Sequence, residues 1–365
     1  MITAAIDKLV MGEALNDAEA GESMEEIMSG TATPAQIGAF LVALRMKGET
    51  IEEIAGLAQV MRSRAIPVEL GDTTGSPLGR VVDTCGTGGD RSGTFNISTA
   101  SAIVAAAAGV PVAKHGNRAM SSRCGSADVL EALGVEINLD AEGVARCVRY
   151  AGIGFMFAPL FHPAMKHAAP VRRELGTRTV FNILGPLTNP ARARRQVLGV
   201  AHASLAPKMA GALERLGAQH ALVVHGHGGL DELTVTGPSV IYQVRTEQPM
   251  QQMEVRPEEF GFETAPLEAI AGGSAEENAD MIRRVLAGEP GPRRDVVLLN
   301  AAAALLVADV VDSLLEGIEV AAGAIDGGDA LATLARLIEV SKDPSLGGKG
   351  APGNEVPKAR PGKAA

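Results

Sequence analysis

The chain holds 365 residues, 46% of them apolar and 3% aromatic, with a formal net charge of −10. That is enough apolar chain to bury one large core and a smaller one, whereas the acidic balance and the scarcity of stacking rings weigh against nucleic acid as a partner. A polyanionic metabolite is compatible with it only at a defined pocket, where backbone N–H groups, a few cations and a metal override the overall field.

Asp7 and Lys8 stand where a secretion signal needs an unbroken apolar stretch, so the expected compartment is the cytoplasm. Apolar residues then recur at helical spacing over 2–15, 17–28, 33–46 and 50–65. Thr33-Pro34 and Thr50-Ile51-Glu52-Glu53 read as helix starts, with Pro34 at the first helical position and Glu53 closing a capping box on Thr50. Residues 1–71 are expected to form a small N-terminal all-helical domain, ended by the turn-rich run from Gly71 to Gly79.

Over 80–340, short β-branched runs alternate with Ala-rich helices, the grammar of a larger α/β domain whose central sheet is mostly parallel and flanked by helices. Val81-Val82, Val110-Pro111-Val112 and Ala221-Leu222-Val223-Val224 read as buried strands. The longest mostly apolar run, 99–113, is shorter than the ~18 residues a membrane helix needs, and Ser101, Gly109 and Pro111 break it. Cys85, Cys124 and Cys147 form no C-x-x-C pair, and their odd number argues against a disulfide framework. From Ser341 the composition turns to Gly, Pro and Lys, so 341–365 is expected to be a disordered tail.

Each strand runs into a Gly-rich polar loop, at 83–90, 114–125 and 225–232. In open α/β sheets such loops line one ligand crevice. Glycines at 86, 88 and 89 let the backbone approach an anion closely, although a tight turn explains the same run. Asn96-Ile97-Ser98-Thr99 and the Ala-rich segment up to Gly109 spell a helix with a capped start, whose amides and dipole suit a phosphate. The pattern is neither a Walker A loop nor a Rossmann fingerprint, so nucleotide hydrolysis and hydride transfer lose ground. Lys114-His115-Gly116-Asn117-Arg118 brings two cations ahead of a second helix start at Gly125-Ser126. His225 and His227, before Asp231-Glu232, lack a third nitrogen or sulfur ligand nearby, which argues against zinc.

These loops, together with Gly125-Ser126-Ala127-Asp128-Val129-Leu130-Glu131-Ala132-Leu133-Gly134, Phe161-His162-Pro163-Ala164-Met165-Lys166, Val171-Arg172-Arg173-Glu174-Leu175-Gly176 and Phe181-Asn182-Ile183-Leu184-Gly185-Pro186, closely resemble the anthranilate phosphoribosyltransferase family along nearly the whole chain. The resemblance implies transfer of phosphoribose from phosphoribosyl pyrophosphate to anthranilate in tryptophan biosynthesis. It implies donor contacts from Gly86, Gly89, Asp90, Thr94, Asn96, Ile97, Ser98, Thr99, Lys114, His115, Gly116, Asn117, Arg118, Ser122 and Ser126, and anthranilate contacts from Gly86, Asn117 and Arg172. Magnesium, two ions per subunit, would be held by Ser98, Asp231 and Glu232. A homodimer through the helical domain is implied as well, that domain being completed by a helical hinge segment near 162–185. Cys124 stands where the family has Ser as often as Cys.

Arg172 suits a carboxylate because a guanidinium fork makes two parallel hydrogen bonds where Lys offers a point charge. A surface ion pair with Glu174 is the plainer explanation, and Arg173 is a rival for the inward position. Displacing pyrophosphate builds negative charge on the leaving group, so the task is chiefly electrostatic. The acceptor, an aryl amine neutral near pH 7, needs orientation more than deprotonation, and no obligatory general base is assigned. The competing activity is that of a pyrimidine nucleoside phosphorylase of the same architecture. A third reading is a catalytically silent relative that binds nucleic acid.

Overall fold

The computed structural model describes residues 1–71, 77–119 and 123–346. Four helices open the chain: α1 (Ile2–Val10), α2 (Asp17–Ser29), α3 (Pro34–Lys47) and α4 (Ile51–Arg64). Pro34 stands in the first turn of α3, and Thr50 with Glu53 forms the expected capping box on α4. α1 stops at Val10, short of the expected residue 15, and Gly12 then turns the chain at a φ of +79°. Leu15 is buried all the same, its N–H donating to Glu53 Oε1 at 2.9 Å. Glu53 Oε2 accepts from the Thr50 N–H at 2.8 Å and from Lys47 Nζ at 2.9 Å, with the carboxylate wholly out of water.

The rest of the chain runs β1 (Val82–Gly86), α5 (Ile97–Ala107), β2 (Val112–Gly116), α6 (Ser126–Leu133), α7 (Ala141–Ala151), β3 (Ile153–Phe157), α8 (Ala158–Phe161), α9 (Ala169–Leu175), α10 (Phe181–Leu184), β4 (Arg195–Gly199), α11 (Ala206–Arg215), β5 (His220–Gly226), β6 (Ser239–Arg245) and β7 (Gln251–Val255). It ends in α12 (Ala275–Leu286), α13 (Pro292–Val307), α14 (Leu314–Asp326) and α15 (Asp329–Lys342). The sheet order is β3-β2-β1-β4-β5-β6-β7, parallel through β5 and antiparallel at β6 and β7. The chain lays β2 and β3 on one side of β1, then returns to place β4 on the other. Loops leaving the carboxyl ends of β1 and β4 diverge at this switch point, where open α/β sheets bind ligands.

β1 and β2 start and end later than the apolar runs suggest, and β5 extends beyond its run at both ends. Val81, Val110 and Pro111 precede β1 and β2, whereas Asp83 to Gly86 and Lys114 to Gly116, read as loop, belong to them. Polar residues are tolerated inside these strands because they bond to each other's elements: the His115 N–H donates to Asp83 Oδ1 at 3.2 Å.

Side chains alternate across the sheet. Val197, Leu222, Val224 and Ile241 enter the core that contains α5 and α13 residues, whereas Leu198, Ala221, Val223 and Val244 enter a second core. That second core runs without a break into the helical module, taking in Ile37, Phe40 and Leu44 of α3, Met209 and Leu213 of α11, and Val171, Val180, Phe181 and Leu184 from the stretch between β3 and β4. Arg62 fastens the junction from within. Its guanidinium donates to Leu187 O and, at 3.2 Å, to Leu216 O, and burial pushes its pKa down to about 10.

The chain stays ordered past the expected start of the tail. Ser341 and Lys342 close α15, and Ser341 is buried, its Oγ donating to Ile338 O at 2.9 Å and accepting from the Glu136 N–H at 3.1 Å. Two bonds from one hydroxyl anchor residues that composition alone reads as unable to fold. Residues 347–365 of the expected tail, and 72–76 of the expected domain boundary, lie outside the described residues. No helix among the described residues is long and apolar enough to cross a membrane.

Candidate active site

Gly86 ends β1 and Gly199 ends β4, and the two are register partners. A Cβ on Gly199 would collide with the Asp231 backbone, and one on Gly86 with the Asp231 carboxylate. Bare backbone at both positions thus brings the loop after β5 down onto the loop after β1. The Gly88 N–H donates to Asp231 Oδ2 at 2.7 Å. Gly88, Gly89 and Arg91 take φ values of +64°, +76° and +59°. Successive turns of this kind form the amide concavities that hold anions, and a non-glycine residue in that region carries strain of the sort found at ligand clamps. Asp90 folds back on the loop, accepting from Ser92 Oγ at 2.6 Å and the Ser92 N–H at 3.3 Å. The loop's exit is pinned: Thr94 bridges Ala271, and Gly93 O accepts from the Gly272 N–H at 2.8 Å.

Asn96 stands at the N-cap position of α5 but does not cap it. Its Nδ2 donates to Cys124 O at 3.2 Å and its Oδ1 accepts from Asn278 Nδ2 at 2.9 Å. The first turn of α5 finds other acceptors: the Ile97 N–H donates to Phe95 O at 2.7 Å, the Thr99 and Ala100 N–H groups donate to Asn96 O at 3.1 Å, and the Ser98 N–H meets Glu232. Lys114, only 2% exposed, donates to Ser98 Oγ at 3.2 Å and to Thr84 O. Burial raises both Asp231 and Glu232 above the ordinary carboxylate range; Asp90 adds to the first effect and Asp231 to the second, while Lys114 and the Gly88 and Ser98 amides offset only part.

Two carboxylates crowded in this way call for a cation. Among the described residues no three His, Cys, Asp or Glu side chains form a metal cage. Two carboxylates and the Ser98 hydroxyl are a partial set of hard oxygen donors, which fits magnesium because that ion keeps several waters and takes phosphate oxygens.

β2 carries Lys114, His115 and Gly116 to the same end of the sheet. The His115 ring lies 5.0 Å from that of His162, and the Nε2 atoms of both are buried without a hydrogen-bond partner. Burial, and for His115 also the neighbouring His162, pushes their pKa values down to about 3 and about 4, so both rings are neutral at pH 7. Ser126 Oγ donates to Asn117 O at 3.3 Å, and Asn117 Oδ1 accepts from the Arg118 N–H at 2.8 Å.

Three of the expected donor residues are constrained by their surroundings. Arg118 is already paired with Asp128 at 2.9 Å and Glu131 at 2.5 Å, so its charge is engaged away from the Gly loop. Ile97 is buried in the main core and has only its backbone to offer. Thr99 is buried too, its hydroxyl without a partner. Ser122 lies outside the described residues.

Arg172 is the inward member of its pair. It is half-buried, with its guanidinium 5.2 Å from the centre of the Phe181 ring, while Arg173 is exposed. No ion pair with Glu174 forms among the described residues, and burial lowers the Arg172 pKa. Gly86, Gly89, Asp90, Ser98, Lys114, Asp231 and Glu232 thus share the switch point. His115 stands in β2, Asn117 directly after it and Ser126 at the start of α6, and Arg172 comes from α9, with no described bond to the Gly loop.

Sequence reading missed two groups. Asp83, Gln196 and Asn189 form a buried polar layer beneath the site: Gln196 Nε2 donates to Pro186 O at 2.6 Å and lies 3.4 Å from Asp83 Oδ2, and Asn189 Nδ2 donates to Ala113 O at 2.8 Å. The available signal was a carboxylate directly after an apolar strand start. Arg178 donates to Gly88 O at 3.0 Å, and no spacing rule ties residue 178 to residue 88.

A family model described as the a/b domain of a glycosyl transferase family matches residues 78–331, and its helical bundle domain matches 3–65. The anthranilate phosphoribosyltransferase of Chloroflexus aggregans is 63% identical over 342 residues, covering 93% of this chain and 98% of its own; that of Roseiflexus castenholzii is 59% identical, covering 92% and 97%. The crystal structure of the Thermus thermophilus anthranilate phosphoribosyltransferase superposes with a TM-score of 0.86 at 47% identity, covering 93% of this chain and 99% of that one. The Saccharomyces cerevisiae enzyme in complex with PRPP and Mg gives 0.84 at 29% identity, covering 93% and 98%.

Proposed function

The chain belongs to the anthranilate phosphoribosyltransferase family, and from that premise we infer that it transfers the phosphoribosyl group of phosphoribosyl pyrophosphate to the amino group of anthranilate, releasing pyrophosphate on the way to tryptophan. The observation that carries the site assignment is the meeting of Asp231 with Gly86, Gly88 and Gly199 at the switch point, beside buried Lys114. In this reading the loop from Gly86 to Thr94 and the start of α5 at Asn96 to Thr99 hold the diphosphate, and Asn117 with Ser126 holds the remainder of the donor. Asp231, Glu232 and Ser98 hold magnesium, two ions per subunit, which neutralises charge on the departing diphosphate when bound. Lys114 keeps a fixed cation between Ser98 and Glu232, so that part of this neutralisation needs no rearrangement as the sugar–oxygen bond breaks.

The anthranilate nitrogen forms the new bond to the anomeric carbon as the diphosphate oxygen leaves with the old bonding pair. Bond formation leaves the nitrogen positively charged and acidic, and its proton passes to the released diphosphate or to water, so no side chain is assigned as base. Arg172 orients the carboxylate. Arg172→Ala is expected to raise KM for anthranilate about ten- to a hundredfold, the worth of a charge-assisted bidentate contact, while KM for the donor stays nearly constant. Equal rises in both constants would remove Arg172 from this role. The subunits pair through the helical module, where Val10 and Met11 at the end of α1 and Val42 and Met46 on α3 are exposed; sedimentation equilibrium giving the single-chain mass contradicts that.

The whole reading is tested by following the fluorescence of anthranilate in the presence of donor and magnesium. Consumption that needs all three components is expected. Phosphorolysis of uridine or thymidine with no loss of anthranilate would assign the chain to the nucleoside phosphorylases instead.

A further inference from the structure

Resting on the donor assignment above, we propose that Arg178 is a positioning residue through which helix α3 of the helical module holds the donor loop in its anion-binding shape. Arg178 lies in the connection between α9 and α10. One of its Nη atoms donates to Gly88 O at 3.0 Å, and a Cβ built on Gly89 would fall onto the guanidinium itself. The Gly88 residue is thus gripped at both ends, its N–H by Asp231 and its carbonyl by Arg178. In a planar trans peptide the carbonyl of one residue and the N–H of the next point in opposite directions. Tying Gly88 O to Arg178 therefore turns the Gly89 N–H away from Arg178 and fixes one amide of the concavity.

Arg178 is itself held from the helical module. Its own carbonyl accepts from Arg45, in the last turn of α3, and the same guanidinium donates to Thr177 Oγ1 at 2.9 Å. Among the described residues no carboxylate pairs with Arg178, so its charge is uncompensated beside a loop assigned to a polyanion. An unbroken series of bonds runs from α3 through 177–178 and Gly88 to Asp231. It joins the small module to the donor site with no contact to the acceptor residue Arg172.

The test compares Arg178→Ala, Arg178→Lys and Arg45→Ala with the parent protein by steady-state kinetics, and by hydrogen exchange of the 86–95 segment without substrate. KM for the donor is expected to rise about tenfold or more in Arg178→Ala, the loss of one charge-assisted bond, with KM for anthranilate changed less than about twofold. Exchange should quicken in 86–95 and stay unchanged in β5 and α13. Arg45→Ala should give the same pattern more weakly, and Arg178→Lys should not restore the parent values, because an ammonium lacks the planar fork. Unchanged exchange with unchanged donor KM overturns the proposal, as does a general loss of protection with equal rises in both constants. If Arg178→Ala fails to fold, the other two variants decide. The exchange measurement uses substrate-free protein, so a parent chain that consumes no anthranilate defeats the functional reading and leaves this arm to be judged separately.

Discussion

Replacing Asp231 by Asn and Glu232 by Gln together is expected to lower kcat/KM by about two to three orders of magnitude and to flatten the dependence of rate on magnesium. Both carboxyls sit above their ordinary range because burial and mutual repulsion, with Asp90 close by, favour the protonated form. A cation competes with those protons, so half-saturating magnesium in the parent protein should fall as pH rises from acid toward neutral. Stability moves the other way. Without metal, the folded state keeps protons that the unfolded chain has already lost above about pH 4, so folding stability declines as pH climbs from there through the raised values. The double variant carries no such protons. Its metal-free melting temperature should therefore exceed that of the parent at about pH 8, with the difference shrinking toward about pH 5. Identical magnesium titrations in the two proteins would falsify the ligand assignment, and identical pH profiles of melting would show that the carboxyls are not perturbed.

Glu53→Ala should be the most damaging single substitution in the helical module, destabilising the fold by about 3–5 kcal/mol, as expected when one member of a buried ion pair is removed. The carboxylate is fully buried and serves Lys47, the Leu15 N–H and the Thr50 N–H at once. Its loss leaves the buried Lys47 ammonium without a counter-charge, holding only Gly48 O, leaves two amides without their acceptor, and removes the capping box that starts α4. Lys47→Met should cost less, since Glu53 would keep both amide donors. Urea midpoints at constant slope measure the difference. A loss under about 1 kcal/mol for Glu53→Ala, the size of an ordinary substitution, contradicts the argument.

Much of the helical module was legible in the sequence because its signals are local. Pro34, Thr50 and Glu53 announce helix starts within one turn of themselves, and the structure has them there. The strands were legible in kind and displaced in extent, because Asp83 and Lys114 look like loop residues until their partners across the sheet are known. Of the site, the glycines at 86, 88 and 89 stood out by composition, whereas the Asp231-Glu232 pair came only with the family resemblance. That Gly199 must be bare for Asp231 to pass, that Asn96 bonds Asn278 rather than capping its helix, and that Arg118 is already neutralised are facts of three-dimensional pairing. Residues 88 and 178 meet only because the chain crosses between β3 and β4 through the helical module, and no periodicity records that.

The core shared between sheet and helical module limits how the molecule can move. Leu198, Val200 and Val223 lean toward the same apolar interior as Phe40 and Leu44, and an interior packed at crystal density resists being pulled open. Any separation of the two lobes would have to bring Phe40, Leu44, Met209 and Leu213 into water, so the seam between sheet and helices is itself part of what holds the fold together.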